Sequence, residues 1–338
     1  MAFEGKVGII GSGSWGIALG VLMSDNNYEV TMWSCIESEI EMLREKHEHV
    51  DKLAGVMLPD SMKYTTNIEE AIKGMDIVVL AVPSVYTRST AKQMKEFVSD
   101  GQIVVSVAKG IEEDTLMTLC DIIKEEIPAA NVAVLCGPSH AEEVGKRMPT
   151  TVVVGAADFE TAHYIQKAFD NENFRVYTSP DILGMEIGGA LKNVIALAAG
   201  MADGLGCGDN TKAALITRGI AEITRLGVAM GGRAETFAGL TGIGDLIVTC
   251  ASVHSRNRKA GYLMGQGKSM QEAMDEVKMV VEGVYSAKAA IKLGQKYGVE
   301  LPIVEEVNKI LFENKLAKDC LKDLMIRNAE TEHKQLQW

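Results

Sequence analysis

One lysine in the second half of the chain has the surroundings that proton transfer requires. Lys192 follows Leu191 in an apolar stripe with helical spacing, so it lies beside the buried face, and residues 188–190 are small enough to let a backbone or a ligand approach. Burial, or a second cation such as Lys109, lowers a lysine pKa from ~10.4 toward the roughly 7 to 8 that suits an acid or base. The alternative is a lysine whose stem covers apolar surface while its ammonium reaches water.

A carboxylate follows a glycine-rich stretch further along the chain. In residues 239–246, GLTGIGDL, three glycines precede Asp245, which predicts a flexible loop that ends at a carboxylate. Because Asp245 favours the charged form of a neighbouring lysine, we expect it to orient Lys192 rather than to exchange protons. Asp245 is also a candidate N-cap for a helix that begins at Leu246, and the two interpretations are compatible.

A helical stretch is predicted over about 257–265, and a cationic cluster, SRNRK at 255–259, stands directly before its part at 260–264. Ser255 and Asn257 offer hydroxyl and amide donors, and Arg256 offers a planar fork that matches a phosphate. The start of the helix adds oriented N–H groups. The cluster therefore predicts a phosphate site, with a solvated basic turn as the alternative.

The first twenty residues predict a nucleotide site. The sequence KVGIIGSGSWGIALG at 6–20 is typical of an apolar strand, a glycine turn and the opening of a helix. Gly11 permits the sharp turn, Gly13 lets the backbone approach a pyrophosphate, and Gly16 lets the helix pack closely on the strand. The N–H groups of the first helical turn then face an anion. The alternative is a strand-to-helix turn without a ligand.

Together these groups describe a site for hydride transfer. An alcohol that is oxidised loses its hydroxyl proton while its carbon gives a hydride to a nicotinamide, so a base must contact that oxygen. Lys192 is the candidate base, and in the reverse direction it donates a proton to the carbonyl oxygen.

Short β-rich runs alternate with helical stretches over the first 180 residues. Aliphatic runs at 76–82, 102–108 and 132–136 are typical of strands buried on both faces of a parallel sheet, and ligands bind at the carboxyl ends of such strands. From 181 onward apolar residues recur at helical spacing. We therefore predict an α/β protein, with a doubly wound Rossmann-like sheet domain over 1–180, an all-α domain over 181–338, and a site in the cleft between them.

The adenosine end of a nucleotide would meet the end of the second strand, predicted at 29–33. An acid there binds a ribose 2′-hydroxyl and a base binds a 2′-phosphate, but Ser34 and Cys35 occupy this place. Glu37 is the nearest acid and Arg44 the nearest base, and both are expected on the solvated face of the following helix. The choice between NAD and NADP stays open.

Composition excludes several classes of protein. The 338 residues carry a net charge of −12, which argues against a nucleic-acid or anionic-membrane partner. The six cysteines form no C-x-x-C pair, which indicates a reducing compartment without a zinc cluster or a disulfide framework. No apolar run reaches the ~18 residues of a membrane span, and the N-terminus enters a strand without a signal peptide. We expect a soluble cytoplasmic protein with no metal site.

Six motifs in chain order resemble the bacterial-type NAD(P)-dependent glycerol-3-phosphate dehydrogenases. They are GSGSWG at 11–16, VAKGIE at 107–112, CGPSHAEE at 136–143, ALKN at 190–193, GLTGIGDL at 239–246 and HSRNR at 254–258. The resemblance implies reversible conversion of sn-glycerol 3-phosphate and dihydroxyacetone phosphate with NAD or NADP, which supplies glycerol 3-phosphate for phospholipid synthesis. It also implies a homodimer.

The resemblance implies roles for individual residues as well. Lys192 resembles the base that transfers the proton, with Asn193 beside it, and Lys109 and Asp245 complete the catalytic group. The substrate positions are Lys109, Gly137, Ser139, Lys192, Asp245, Ser255, Arg256 and Asn257. The cofactor positions, with the glycine turn and the end of strand two included, are Gly11, Gly13, Ser14, Trp15, Gly16, Ser34, Lys109, Ala141, Arg256, Val280 and Glu282. Many relatives place a basic residue just after the tryptophan of strand two, and this sequence departs from that pattern.

Two other functions are kept as alternatives. A β-hydroxyacid dehydrogenase, acting on a substrate such as 3-hydroxyisobutyrate or 6-phosphogluconate, also joins a dinucleotide domain to helices and uses a lysine, but it lacks the GLTGIGDL and SRNR pair. A non-catalytic sensor that binds NAD(P) and a protein partner needs no proton-transfer lysine, so its function would survive the change Lys192→Met.

Overall fold

A computed structural model describes residues 4–327 and 332. Its eight strands are β1 Gly5–Ile10, β2 Tyr28–Trp33, β3 Lys63–Thr65, β4 Ile77–Leu80, β5 Ile103–Ser106, β6 Asn131–Cys136, β7 Thr150–Ala156 and β8 Phe174–Ser179. The helices between them are α1 Ser14–Asp25, α2 Glu37–Lys46, α3 Thr87–Met94, α4 Leu119–Glu126, α5 Ala141–Val144 and α6 Phe159–Phe169, with short 3-10 turns at Ile68–Ala71 and Ser84–Tyr86.

The strands form one sheet in the order β3-β2-β1-β4-β5-β6-β7-β8. Neighbouring strands are parallel except β6 and β7, because their connection carries only the four-residue α5 and lacks a helix long enough to cross the sheet. The order reverses between β1 and β4, and in doubly wound sheets the crevice at such a point binds ligands. The predicted Rossmann-like sheet is therefore confirmed, with one antiparallel pair that the sequence analysis did not predict.

Side chains on both faces of the sheet are buried. On one face Val7, Ile9 and Val79 pack in a cluster with α1, and on the other Val78 and Leu80 pack with residues of α3 and α4. This alternation with a period of two follows from the pleat of each strand. The aliphatic runs thus form strands covered by helices on both sides, as predicted.

From Ile182 the described chain is helical. The helices are α7 Ile182–Gly204, α8 Asp209–Ala229, α9 Ala234–Phe237, α10 Asp245–Ala251, α11 Arg256–Gly265, α12 Met270–Val277, α13 Glu282–Tyr297, α14 Pro302–Phe312 and α15 Ala317–Met325. This confirms an all-helical second half, although residues 328–331 and 333–338 of the predicted domain lie outside the described part.

The helix α7 forms the centre of this second half. All of its residues from 184 to 202 are buried, which is typical of a helix inside a large core. By length and composition α7 could cross a membrane, but 89% of its most apolar 18-residue stretch is buried inside the structure. The segment Ala234–Ala251 and the helix α11 would together also be long and apolar enough, although they are bent by 50° relative to each other. Glu186 and Lys192 interrupt its apolar run, so no uninterrupted stretch of spanning length is present in the sequence.

Two segments of the helical half differ from the prediction. The helix α11 begins at Arg256, one residue before the predicted stretch, so the cationic cluster forms its first turn rather than preceding it. The glycine-rich segment Leu240–Gly244 is a turn of π-helix rather than a loop. Glycine is required at Gly188 of α7 because a Cβ there would lie 2.6 Å from the carbonyl oxygen of Thr241, so this turn packs directly on α7.

Candidate functional site

Two lysines share one buried carboxylate where the sheet meets the helices. The Nζ of Lys192 on α7 donates to Oδ1 of Asp245 at 2.5 Å, and the Nζ of Lys109, in the loop after β5, donates to Oδ2 at 2.7 Å. The Lys192 side chain is 7% exposed, so its ammonium does not reach bulk water and the alternative of a solvated lysine is wrong. Asp245 does not cap α10, whose N-cap residue is Gly244, because its carboxylate holds the two ammonium groups.

Two further groups complete the contacts of the lysines. The Nζ of Lys192 also donates to Oγ1 of Thr249 at 2.6 Å, and that hydroxyl donates to the carbonyl oxygen of Asp245 at 2.6 Å. The Nζ of Lys109 also donates to the carbonyl oxygen of Gly137 at 2.9 Å. The sequence analysis missed Thr249, although its spacing of four residues from Asp245 places both on one face of α10.

The shared carboxylate moves the pKa values of the two lysines in opposite directions. Burial lowers the pKa of Lys192 to about 8. Attraction to Asp245 raises this pKa, but repulsion from Lys109 lowers it and so adds to the effect of burial. Burial also opposes the charged form of Lys109, but attraction to Asp245 outweighs it and raises the pKa. Burial favours neutral Asp245, yet the two ammonium groups lower its pKa. Lys192 is therefore the amine of the pair that titrates near neutral pH.

A buried thiol, which the sequence analysis did not identify, borders this group. The Sγ of Cys136, the last residue of β6, lies 3.9 Å from Oδ2 of Asp245. Burial raises the pKa of this thiol to about 11, so it stays neutral beside the carboxylate.

Two asparagine side chains connect three elements behind the lysines. The Nδ2 of Asn257 on α11 donates to Oδ1 of Asn193 on α7 at 2.9 Å, and the N–H of Gly283 on α13 donates to Oδ1 of Asn257 at 2.8 Å. The Nδ2 of Asn193 donates to the carbonyl oxygen of Lys109 at 3.5 Å. Asn257 is buried, and the amide N–H that it does not donate to Asn193 is a candidate donor to a ligand.

The start of α11 has the features of an anion site. Ser255 is its N-cap, with Oγ accepting from the N–H of Arg258 at 3.2 Å. The side chain of Arg256 is exposed and forms no hydrogen bond or ion pair with residues 4–327. Ser139, in the loop after β6, donates its hydroxyl to the carbonyl oxygen of Gly137 at 2.9 Å. Arg256 and the first N–H groups of this ten-residue helix can therefore receive an anion.

The glycine turn after β1 leaves room for a dinucleotide. Gly11 has a φ of +122°, which favours glycine, and a Cβ at Gly16 would lie 2.2 Å from the carbonyl oxygen of Gly11. A Cβ at Gly13 would meet nothing within 4 Å, and α1 has no side-chain cap, so its first N–H groups face open space. Ser14 donates its hydroxyl to the carbonyl oxygen of Lys52 at 2.7 Å, and Trp15 packs against the sheet core. These residues fit a pyrophosphate.

A carboxylate that the sequence analysis missed lies between this turn and the end of β2. The hydroxyl of Ser34 donates to Oε2 of Glu39 at 3.0 Å, and the hydroxyl of Ser12 donates to the same oxygen. The Nζ of Lys52 donates to Oε1 at 2.5 Å. Glu39 lies on α2, and its side chain reaches back to the end of β2. Its distance from β2 along the sequence does not indicate this contact, because the contact depends on how α2 packs.

Glu282, the first residue of α13, links the helical half to the sheet edge. Its Oε1 accepts from the N–H of Ser84 at 3.0 Å and its Oε2 accepts from the Ser84 hydroxyl. Burial raises the pKa of Glu282. Val280 lies in the segment before α13, and Ala141 is the buried first residue of α5.

The predicted residues lie along one edge of the sheet, at the ends of β1, β2, β4, β5 and β6. Lys109, Asp245 and Lys192 meet directly, beyond the end of β5. Ser34 lies at the end of β2, which is separated from β5 by β1 and β4, so three strand spacings of ~4.8 Å give roughly 14 Å between the two strand ends.

Comparison with known proteins agrees with this arrangement. A family model described as the NAD-dependent glycerol-3-phosphate dehydrogenase N-terminus matches residues 6–162, and one described as the C-terminus of the same family matches residues 181–322. A relative from Agathobacter rectalis named glycerol-3-phosphate dehydrogenase [NAD(P)+] is 67% identical over 98% of this chain and 99% of the relative. A relative of the same name from Fusobacterium nucleatum is 59% identical over 97% and 98%.

A solved structure agrees as well. The crystal structure of glycerol-3-phosphate dehydrogenase from Coxiella burnetii is 30% identical to this chain, with a TM-score of 0.93 over 96% of this chain and 100% of the solved one. The fold is thus shared across most of the chain. The chain belongs to the NAD-dependent glycerol-3-phosphate dehydrogenase family.

Proposed function

We infer that this chain is an oxidoreductase that interconverts sn-glycerol 3-phosphate and dihydroxyacetone phosphate with NAD or NADP. The observation that carries the chemistry is the buried contact of Lys192 with Asp245, beside an amine from the sheet half of the chain. A base at this place can reach a substrate held between the helical half and the strand ends. The proposed cofactor positions line the same edge of the sheet.

Lys192 is the proposed acid and base. In the direction of reduction its ammonium donates a proton to the carbonyl oxygen of dihydroxyacetone phosphate, and in oxidation the neutral amine takes the proton of the hydroxyl. When bound, the reduced nicotinamide supplies the hydride that the carbonyl carbon accepts. Asp245 and Thr249 hold the amine in position, and Lys109 adds positive charge beside the developing alkoxide.

The start of α11 is the proposed phosphate site. The exposed guanidinium of Arg256 and the first N–H groups of α11 offer donors to a phosphate, and the remaining N–H of Asn257 offers one more. The proposed substrate positions are Lys109, Gly137, Ser139, Lys192, Asp245, Ser255, Arg256 and Asn257.

The glycine turn is the proposed site of the cofactor pyrophosphate, which supports an extended dinucleotide along the sheet edge. The proposed cofactor positions are Gly11, Gly13, Ser14, Trp15, Gly16, Ser34, Lys109, Ala141, Arg256, Val280 and Glu282. The break between Ser179, the end of β8, and Ile182, the start of α7, supports a division into domains at 1–180 and 181–338. The protein is also proposed to be a cytoplasmic homodimer. Its proposed role is to supply glycerol 3-phosphate for phospholipid synthesis.

An assay with the purified protein tests the reaction. We expect loss of the absorbance of NADH or NADPH when dihydroxyacetone phosphate is added, and no such loss with the oxo acids that correspond to 3-hydroxyisobutyrate or 6-phosphogluconate. The change Lys192→Met is expected to lower turnover by about 10² or more while the dissociation constant of the nucleotide stays the same. Lys318→Met, which alters an exposed lysine of α15, is the control. Absence of nucleotide oxidation with both cofactors would contradict the proposed reaction.

A further inference from the structure

The Glu39 carboxylate lies between the glycine turn and the end of β2. Ser12 belongs to the glycine turn and Ser34 directly follows β2, and both hydroxyls donate to the same oxygen of Glu39. In doubly wound folds the end of this strand meets the ribose, and an acid there accepts from the 2′-hydroxyl. The bonds to both serines fix the carboxylate between the pyrophosphate turn and the strand end.

This carboxylate is ionised and held in place. Its side chain is 13% exposed, and bonds from Lys52 and the two serines lower its pKa although burial opposes this. His49 lies beside it, with Nε2 3.9 Å from Oε1 of Glu39, but burial and Lys52 lower the pKa of the imidazole, so it is neutral at pH 7. The Lys52 ammonium bonds Oε1 of this carboxylate, whereas Oε2 accepts from neutral hydroxyls only.

No basic residue follows β2 directly. The segment Ser34–Glu39 reads SCIESE, and the first base of the following helix, Arg44, donates its guanidinium to the carbonyl oxygen of Tyr64 at 2.7 Å. Arg44 and Glu37 are exposed, as predicted from the sequence. A 2′-phosphate at this strand end would therefore meet Glu39 without a free cation from this segment.

We propose that Glu39 makes this enzyme select NAD(H) over NADP(H), by accepting from the ribose 2′-hydroxyl and repelling a 2′-phosphate. This rests on the proposed function and names the cofactor of that same site. A 2′-phosphate carries close to two negative charges at neutral pH, and repulsion by a partly buried carboxylate is weakly screened by solvent. The 2′-hydroxyl of NAD, by contrast, is a donor matched to a carboxylate oxygen.

Lys52 is the group that could favour the opposite selection. Its ammonium, 28% exposed, could turn from Glu39 toward a 2′-phosphate. That movement would leave the Glu39 carboxylate without its cation, and the 2′-phosphate would place a second anion beside the same carboxylate. Both effects cost free energy and disfavour the movement of Lys52. The carbonyl oxygen of Lys52 also accepts from the hydroxyl of Ser14, which fixes the backbone from which this side chain extends.

Equilibrium binding of the two reduced cofactors tests this selection without turnover. The fluorescence of NADH and of NADPH is titrated with the full chain, with Glu39→Gln, and with Glu37→Gln, an exposed neighbour on α2 that loses the same charge. We expect the unaltered chain to bind NADH at least about tenfold more tightly than NADPH. In Glu39→Gln we expect this ratio to fall about tenfold or more, mainly through tighter NADPH binding, whereas Glu37→Gln keeps the ratio of the unaltered chain.

Two results would overturn the selection by Glu39. One is equal or tighter binding of NADPH by the unaltered chain, a measurement that needs no variant to fold. The other is a ratio in Glu39→Gln that matches that of Glu37→Gln. A gain in NADPH affinity cannot come from a misfolded fraction, so it supports the proposal directly. Because the titration contains no dihydroxyacetone phosphate, a failure of the proposed reaction leaves this result intact, and the two failures are distinguishable.

Discussion

The Nζ of Lys192 donates to Oδ1 of Asp245 at 2.5 Å, inside a site where both side chains are almost fully buried. A buried ion pair of this kind fixes the direction of the amine and raises its proton affinity, while burial and the neighbouring Lys109 lower it. The balance leaves the pKa of Lys192 at about 8, low enough for the amine to gain and lose a proton in the physiological range.

The first prediction concerns the pH dependence of the two directions of the reaction. Reduction requires protonated Lys192, so kcat/KM for dihydroxyacetone phosphate is expected to fall as pH rises through about 8. Oxidation requires the neutral amine, so kcat/KM for glycerol 3-phosphate is expected to rise through the same pH. Initial rates at low substrate across the pH range measure both limbs. If the two directions change with pH in the same sense near this value, Lys192 is not the titrating group.

The change Asp245→Asn removes the charge that favours the ammonium. Burial and Lys109 then act unopposed, so the limb of the reduction profile is expected to move to lower pH by about one to three units. The pH profile of kcat/KM for dihydroxyacetone phosphate measures this shift. Thr249→Val removes one hydrogen bond to Lys192 but no charge, and a smaller shift in the same direction is expected. A limb that stays in place or moves upward in Asp245→Asn would contradict an electrostatic role for this carboxylate.

Local patterns predicted most of the elements. The helix α6, Phe159–Phe169, is an example of a helical stretch that local signals indicate, because its apolar spacing is regular and Asp158 caps it. The start of α11 was predicted at about 257, one residue late, because its first turn is wholly polar and gives no periodicity, although Ser255 is a recognisable cap. The π-helical turn at 240–244 was predicted as a loop because only the packing of Gly242, whose Cβ would lie 2.1 Å from the carbonyl oxygen of Phe237, dictates its path.

Single residues of the site were easier to predict from the sequence than the contacts between them. The sequence analysis expected Asp245 to orient Lys192, and the two side chains are in contact. The packing of α7 against α10 that produces this contact is not given by any local pattern. Thr249 was missed because nothing in the sequence distinguishes it from a threonine that only fills space in an apolar helix. Glu39 was missed because Glu37 is closer to β2 in sequence, whereas it is the side chain of Glu39 that reaches the end of that strand. Contacts across elements depend on tertiary packing, so the residue types named the candidates and one expected pair but gave no partner role to Thr249 or Glu39.

Arg256 is expected to bind the phosphate of the substrate. Removing its guanidinium in Arg256→Ala loses charge-assisted hydrogen bonds worth about 1.5 to 3 kcal/mol, so the KM for dihydroxyacetone phosphate is expected to rise about 10- to 100-fold. Arg256→Lys keeps the charge without the planar fork and is expected to restore part of the affinity. Initial rates at varied substrate concentration give the KM values.

The control for this change is Lys259→Ala, which removes an exposed cation from the same helix. It is expected to leave the KM for dihydroxyacetone phosphate close to that of the unaltered chain. An unchanged KM in Arg256→Ala, or an equal rise in both variants, would assign the effect to the general charge of α11 rather than to a phosphate contact of Arg256.

Two glycines of the same turn are expected to respond differently to alanine. Gly13 has a φ of −71° and open space before it, so Gly13→Ala is expected to leave the free energy of unfolding within about 1 kcal/mol. The new methyl group would occupy the space in which the backbone approaches a pyrophosphate, and NADH affinity is expected to fall about tenfold or more, about 1.4 kcal/mol. Denaturant unfolding and NADH fluorescence titration measure the two quantities.

Gly16→Ala provides the contrast, because its methyl group would lie 2.2 Å from the backbone oxygen of Gly11. Relief of that overlap requires α1 to move away from β1, so the free energy of unfolding is expected to fall by about 1 to 3 kcal/mol together with the NADH affinity. A loss of stability in Gly13→Ala equal to that in Gly16→Ala would mean that Gly13 serves the packing of the turn. Unchanged NADH affinity in a stable Gly13→Ala variant would place the pyrophosphate elsewhere, because a bound pyrophosphate at this turn cannot tolerate a side chain in the space it fills.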